Sequence, residues 1–387
     1  MSKRPSRRAF LAAAVAVPLA GCSGPGSTGD GPAGEGPAME GAEPVTGSGT
    51  ETDSGQSATP TVPAAWPPTV DQALPLPRAP AELESAAISG GPPKDGIPAI
   101  DDPSFLAPDA AAEFLAPGDP VFAVAMGSER KAYPQRILAG HEIVNDVIDD
   151  TPVSVTYCPL TGTAMGFERG ETTFGVSGRL VNNNLIMYDR ATETWWPQIL
   201  ATSIPGLWKE SVPSRSLVEF PVRWTTYGAW RAANPDGQIL SRETNLARSY
   251  EIDPYGSYNP RGGYYARDAA PMFESFVEVE RLPPKAVVLG TRTAAGATAF
   301  EQRALREAGL LRGRIGERSL VAVWDPTLET GYVYRNPNGR TIAVSDGTIR
   351  VDGTDHPPDD LPLPAQHALD GFWFAWRGFY PETELND

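Results

Sequence analysis

The sequence predicts a predominantly β domain of the α+β class, built from many short strands and hairpins with a few helices. Three observations predict it. Apolar runs of strand length recur from about Leu76 to the end of the chain. Gly, Pro, Asn and Asp punctuate them at short intervals. Few stretches are long enough for a helix, and they do not alternate regularly with strands, so a strictly alternating βαβ chain is not expected. No internal period marks a repeat array.

The elements follow in order. Asp109 to Leu115 reads as a short helix capped by Asp109 and ended by Pro117-Gly118. Val121 to Met126 is an apolar strand, and Pro134 to Ala139 is a helical turn. Glu142 to Ile148 and Val153 to Tyr157 form a hairpin around Asp149-Asp150-Thr151-Pro152, with Cys158 at the end of its second strand. A second hairpin is expected from Met165–Arg169, a Gly170-Glu171 turn and Thr172–Val176, then a strand from Leu185 to Asp189. Thr225 is expected to cap a helix through Ala233, stopped by Asn234-Pro235. Ala286–Leu289, Leu320–Trp324, Tyr332–Tyr334 and Thr341–Val344 read as short strands, the last two around the turn Asn336-Pro337-Asn338-Gly339. Phe300 to Gly309 is the best later helix, and Phe372-Trp373-Phe374-Ala375-Trp376 is an aromatic core segment.

The N-terminus carries an address. Four basic residues, Lys3, Arg4, Arg7 and Arg8, precede an apolar run from Phe10 to Ala20, which is too short to span a bilayer. Ser6-Arg7-Arg8-Ala9-Phe10-Leu11 has the form of a twin-arginine export signal, and Leu19-Ala20-Gly21-Cys22 that of a lipobox. Residues 1–21 are therefore expected to be a lipoprotein signal peptide, with Cys22 lipidated after cleavage. Residues 22–75, rich in Gly, Ser, Thr, Pro and Glu, cannot bury enough apolar surface to offset their ordering entropy. They read as a disordered tether, and 76–387 as a single globular domain on the extracytoplasmic face of the membrane, held there through the lipid.

Charge excludes some partners. The formal net charge is −16, and loss of the four leader cations takes it to about −20. A basic stripe for DNA or RNA is absent, so nucleic acid is not an expected partner. The chain has two cysteines, Cys22 and Cys158. With Cys22 lipidated, no intramolecular disulfide forms and Cys158 stays a lone thiol.

His141-Glu142-Ile143-Val144-Asn145-Asp146, Tyr157-Cys158-Pro159-Leu160, Gly175-Val176-Ser177-Gly178-Arg179-Leu180, Met187-Tyr188-Asp189-Arg190 with Trp196 and Gln198, and the terminal aromatic segment together resemble the "domain of unknown function 3179" family. These blocks are spread over most of Ala123 to Glu384. The resemblance implies an exported or membrane-linked prokaryotic protein of undetermined activity. In some relatives the position matching Thr161 is cysteine or selenocysteine, which implies redox chemistry for them. Thr161 replaces that second chalcogen here, so a dithiol cycle within the domain is excluded. The residues after Cys158 read as turn and strand, so a thioredoxin fold, with its cysteine at a helix N-terminus, is not expected.

Three functions follow from these residues. In the first, Cys158 is the reactive thiol of a thiol-dependent oxidoreductase, Thr161 hydrogen-bonds its anion and His141 is base or partner. Arg179, Asn184, Tyr188, Asp189 and Arg190 are binding or supporting residues, and the electron partner is a protein or a small thiol. No cofactor is expected in this reading. In the second, Cys158, His141 and Met187 gather as soft ligands for copper, although no paired spacing among His141, His356 and His367 supports a preformed metal site. The third is a non-enzymatic cell-surface binding module, in which Arg248-Ser249-Tyr250 and Asp253-Pro254-Tyr255 form a polar network beside a cleft. A Cys158–His141–Asp146 hydrolase is also conceivable, without a supporting motif.

Overall fold

Two aspartates and a run of alternating apolar residues build the centre of the computed structural model, which describes residues 65–71, 73–208, 211–246, 248–345 and 348–387. Asp149 and Asp150 both take positive φ, 48° and 60°. That is the two-residue turn whose twist suits a hairpin. It joins β1 (Ile143–Ile148) to β2 (Thr151–Cys158) in the register Ile143↔Thr156 to Ile148↔Thr151. β3 (Thr163–Glu168) pairs with β2, from Val153↔Glu168 to Cys158↔Thr163, and Glu219–Phe220 closes the far edge.

This central sheet is buried on both faces, so polar Ser154 and Thr156, between the apolar residues of β2, are buried too. Val144, Val153, Val155, Tyr157 and Ala164 pack with Phe122, Val124 and Tyr133 of a five-stranded sheet that includes Pro120–Met126, Glu129–Pro134 and Arg223–Thr226. Ile143, Cys158, Met165 and Phe167 turn the other way. They join Val176 of β4 (Phe174–Val181) and Leu185 and Met187 of β5 (Asn184–Asp189) in the largest core cluster. Cys158 therefore lies between two sheets.

The C-terminal part adds more antiparallel strands. Val287–Thr293 pairs with Gly296–Glu301 and Leu369–Phe372. Leu310–Ile315, Arg318–Asp325 and Thr330–Arg335 form a neighbouring meander. The helix Trp373–Phe379 buries Trp373, Phe374, Ala375, Trp376 and Phe379 in the same cluster as Cys158. The expected predominance of strands over helices in an α+β arrangement holds.

Several local expectations are corrected. The helix expected from Asp109 is a 3₁₀ segment, Pro108–Glu113, entered through Pro108 after Ala107. Proline at the first helical position has no N–H to leave unpaired, so it sets the start ahead of Asp109. Thr226, not Thr225, caps the helix Tyr227–Ala233, its side chain accepting from the Ala229 N–H at 3.3 Å. Thr225 is still in the strand. The segments around Gly170 are not a hairpin: β3 pairs with β2 and Glu219–Phe220, whereas β4 pairs with β5 and Ile88–Ser89. Both edges of β3 are already taken, so the chain passes to another sheet. Phe300 and Glu301 end a strand, and the later helix is Gln302–Ala308, ended by Gly309 at φ 73°.

The leader, Cys22 and residues 22–64 of the expected tether lie outside the described residues. Packing begins before the expected boundary at residue 76. Trp66 is buried, donates to Thr194 Oγ1 at 3.1 Å and meets Trp196 edge-on at 5.1 Å. Among the described residues no helix is long and apolar enough to cross a membrane.

Candidate functional site

The β1–β2 ladder leads directly to the candidate site. Continued two residues past Ile143↔Thr156, its register would set His141 opposite Cys158. A kink intervenes. Glu142 sits at φ 59°, donates its N–H to Leu138 O at 2.7 Å and accepts the Tyr157 N–H at 2.7 Å. A left-handed backbone at a non-glycine residue redirects the side chains around it. The result exchanges the two neighbours. Glu142 is the side chain whose charge acts on Cys158. His141 turns away, its Nδ1 2.7 Å from Pro98 O and its Nε2 2.6 Å from the Tyr250 hydroxyl.

Cys158 is 1 % exposed. Its thiol donates to Asn183 O at 3.6 Å, and its sulfur accepts the Leu185 N–H at 3.4 Å. Burial pushes the thiol pKa up to about 11, and the Glu142 carboxyl adds to the rise. The Thr161 hydroxyl, the Leu185 N–H and the Thr161 N–H pull it down. Glu142 is 6 % exposed. Burial raises its carboxyl to about 8 against a weaker pull from Arg248. Among the described residues nothing hydrogen-bonds to that carboxyl and no cation pairs with it. A buried acid in that state favours its neutral form.

Thr161 is held from behind by a buried amide and hydroxyl network. Asn184 Nδ2 donates to Thr161 Oγ1 at 3.0 Å and to Gln198 Oε1 at 2.9 Å, while its Oδ1 accepts the Ile199 N–H at 2.9 Å. Gln198 Nε2 donates to Thr156 Oγ1 at 2.8 Å. Thr161 already accepts from Asn184, so its own proton serves either Thr163 Oγ1, 2.8 Å away, or the Cys158 sulfur. Gly162 follows at φ 61°, and a Cβ there would meet the Phe372 ring at 2.7 Å. Thr161 O also accepts the Phe372 N–H at 2.8 Å, tying the turn to the C-terminal strand.

A tyrosine-rich segment covers the sulfur. Tyr255 is raised by burial and then by the charges of Glu142 and Cys158, and Tyr264 by burial and Cys158, so both rings stand beside the pair. Tyr264 donates its hydroxyl to Leu160 O at 2.8 Å. Asp253 anchors the segment by accepting from Gln135 Nε2 and the Tyr265 hydroxyl, each at 2.8 Å. Lys285 is fully buried beneath it, donates to Tyr264 O, and is lowered to about 7 by burial and then by Arg261. Beside the cover lies a cleft of about 740 Å3 whose walls include Arg136, Gly140, Arg248, Tyr250 and Tyr255. Of the expected polar network, Arg248, Ser249, Tyr250, Pro254 and Tyr255 line this cleft, whereas Asp253 lines a neighbouring one.

The structure bonds Asn184 to Thr161, and the Thr161 hydroxyl and N–H lower the pKa of the Cys158 thiol. It does not join His141 to the thiol by a hydrogen bond. Asp189 is buried in its own turn, accepting from Thr192 and from Trp196 Nε1 at 3.0 Å. Arg190 pairs with Asp101 at 2.8 Å, and Tyr188 donates to Asp95. The Arg179 N–H is held by Ser177 Oγ at 3.1 Å on the edge of β4 next to Ser89. These four make no bond to Cys158. Met187 is buried opposite Trp196, and both ring nitrogens of His141 are already engaged, so the soft-ligand set is not gathered. Among the described residues no three His, Cys, Asp or Glu side chains converge as a metal site. Asp146 binds Lys131 at 3.0 Å and Tyr133 at 2.7 Å, away from His141.

Sequence reasoning missed Glu142 as a site residue, because a glutamate next to a strand ordinarily faces solvent. The available signal was its place in the His141-Glu142 block, one position beyond the ladder. The model of the family described as "Protein of unknown function (DUF3179)" matches residues 94–383. No curated protein and no solved structure matches the chain.

Proposed function

Because the chain belongs to the DUF3179 family, we propose its function from its own site: an exported, lipid-anchored protein that carries out single-thiol exchange at Cys158. Cys158 attacks an external disulfide, forms a mixed disulfide with one half and releases the other half as a thiol. A second external thiol then frees Cys158, so electrons and atoms balance without a second cysteine in the domain. In its ionised form, reached as pH rises towards about 8, Glu142 accepts the Cys158 proton, the role that the ladder register suggested for His141. The Leu185 N–H and Thr161 hold the anion that remains.

One observation carries the reading. A buried thiol that is protonated at rest is also what a packing cysteine shows. Packing does not account for a second buried ionisable group, Glu142, set against the same sulfur with no hydrogen-bond partner among the described residues. Burying such a carboxyl costs stability, and perturbed acids beside a nucleophile concentrate at working sites.

The test is stoichiometric trapping with a coloured aromatic disulfide. The folded chain should release one coloured thiol and retain one mixed disulfide, and Cys158→Ser should release none. Release only after unfolding would defeat the exchange reading. For the anchor, Cys22→Ala should leave the membrane fraction, and Lys at both Arg7 and Arg8 should stop export. A fully membrane-bound Cys22→Ala protein would defeat the anchor.

A further inference from the structure

Arg248 is exposed at the mouth of the cleft, and among the described residues no carboxylate lies within ion-pair distance of it. Its one side-chain hydrogen bond runs to Gly96 O at 3.3 Å. The nearby arginines are engaged: Arg136 binds Asp119 at 3.0 Å and Arg242 reaches Glu251 at 4.0 Å. An uncommitted guanidinium over a cleft, in a chain of net charge −16, is a local attractor for an anion. Beside it the cleft walls are partly apolar, with Ile97, Pro98, Leu246 and Ile252.

We propose that this cleft binds a small organic monocarboxylate, its carboxylate forked by Arg248 and its apolar body against Ile97, Pro98 and Leu246. A single free arginine suits one negative charge, and the acidic chain disfavours a dianion. The inference rests on the thiol reading only in taking the cleft as the entrance to the working site. It does not need Cys158 to react.

Phenylacetate is the probe, titrated calorimetrically into the full chain, with benzyl alcohol and inorganic phosphate as comparisons. One molecule per chain should bind. Arg248→Gln, at an exposed position and shown to be folded by its melting curve, should weaken binding by about tenfold or more. Cys158→Ser should bind as the native chain does, which separates this inference from the exchange reaction. Absence of saturable binding, an unchanged Arg248→Gln, benzyl alcohol binding as tightly, or phosphate binding more tightly would each overturn it.

Discussion

Glu142 and Cys158 share one buried space, and the ionised form of either opposes ionisation of the other. The carboxyl is raised to about 8 and the thiol to about 11, so their protons leave as a coupled pair. The first proton to leave gives a mixture of two forms: a carboxylate beside a thiol, and a thiolate beside a neutral acid. Only the second reacts. Its share is independent of pH once the first proton has gone, until the second begins to leave. Alkylation of native Cys158 should therefore rise with pH to about 8, flatten, and rise again towards 11. In Glu142→Gln the break near 8 should vanish, and the variant should react faster than the native chain above it. A native profile without a break near 8 would remove Glu142 as the proton acceptor.

The same carboxyl links stability to pH. Its folded pKa, about 8, lies above the ordinary value of 4.5. Between those values the folded chain holds a proton that the unfolded chain has lost, so stability falls as pH rises from 4.5 to 8. Glu142→Gln should remove this slope and gain on the native chain by on the order of a few kcal/mol at pH 8 relative to pH 5. Lys285 works in the opposite sense. Its folded pKa, about 7, lies below 10.5, so stability rises between them as the unfolded amine loses its advantage. Denaturant melts of native and Glu142→Gln chains at several pH values isolate the Glu142 contribution, because Lys285 is common to both.

The central hairpin was legible because two independent signals agreed. Period-two alternation marked the strands, and Asp149-Asp150 marked the turn, which is tighter than expected because Thr151 and Pro152 already belong to β2. The false hairpin around Gly170 shows the limit. Local turn chemistry announces that a chain reverses, but not which sheet accepts it, and β3 was already paired on both edges. At the site, the register foretold that residues near 141 meet residue 158. The choice between His141 and Glu142 depended on one left-handed φ, which leaves no mark in a sequence where a glutamate occupies it. Tyr188, Asp189 and Arg190 stood in a family block, with Arg190 a candidate positive neighbour of the thiol. Arg190 binds Asp101 and Tyr188 binds Asp95, both distant in sequence, while Asp189 binds Thr192 in its own turn.

Asn184 should matter more to the fold than its size suggests. It satisfies Thr161, Gln198 and the Ile199 N–H at once in a fully buried setting. Asn184→Ala leaves the Ile199 N–H unpaired and leaves Thr161 Oγ1 and Gln198 Oε1 with Thr163 alone, and a buried polar group so abandoned costs about 1–3 kcal/mol. We expect a loss of about 3 kcal/mol in a chemical melt, with faster alkylation of Cys158 as the Thr161 turn loosens. Gly162→Ala attacks the same turn from the backbone. It forces a side chain into positive φ and against Phe372, at a cost of about 1–3 kcal/mol. A stable Asn184→Ala chain with unchanged thiol reactivity would show that the network does not position the site.

His141 holds the wall of the cleft, and its protonation should release it. Nδ1 faces Pro98 O, which can only accept, so the ring proton resides there and Nε2 accepts from the Tyr250 hydroxyl. Tyr250 in turn accepts from Thr244 Oγ1 at 2.6 Å. Burial first, and then Arg248, lower the His141 pKa below 6.5, although the Pro98 bond opposes them. A histidine with a depressed folded pKa contributes stability above 6.5 and loses it as pH falls towards the folded value. The imidazolium that forms has no lone pair left for Tyr250. His141→Phe should therefore cost about 1–3 kcal/mol at pH 7, through the unpaired Pro98 carbonyl and Tyr250 hydroxyl, and should abolish the acid slope just below 6.5. It should leave the break near pH 8 in the alkylation profile of Cys158, because the proton acceptor there is Glu142. Melts from pH 5 to 7.5, combined with alkylation rates at higher pH, read both effects on one variant. Loss of the pH 8 break in His141→Phe would return the acceptor role to histidine.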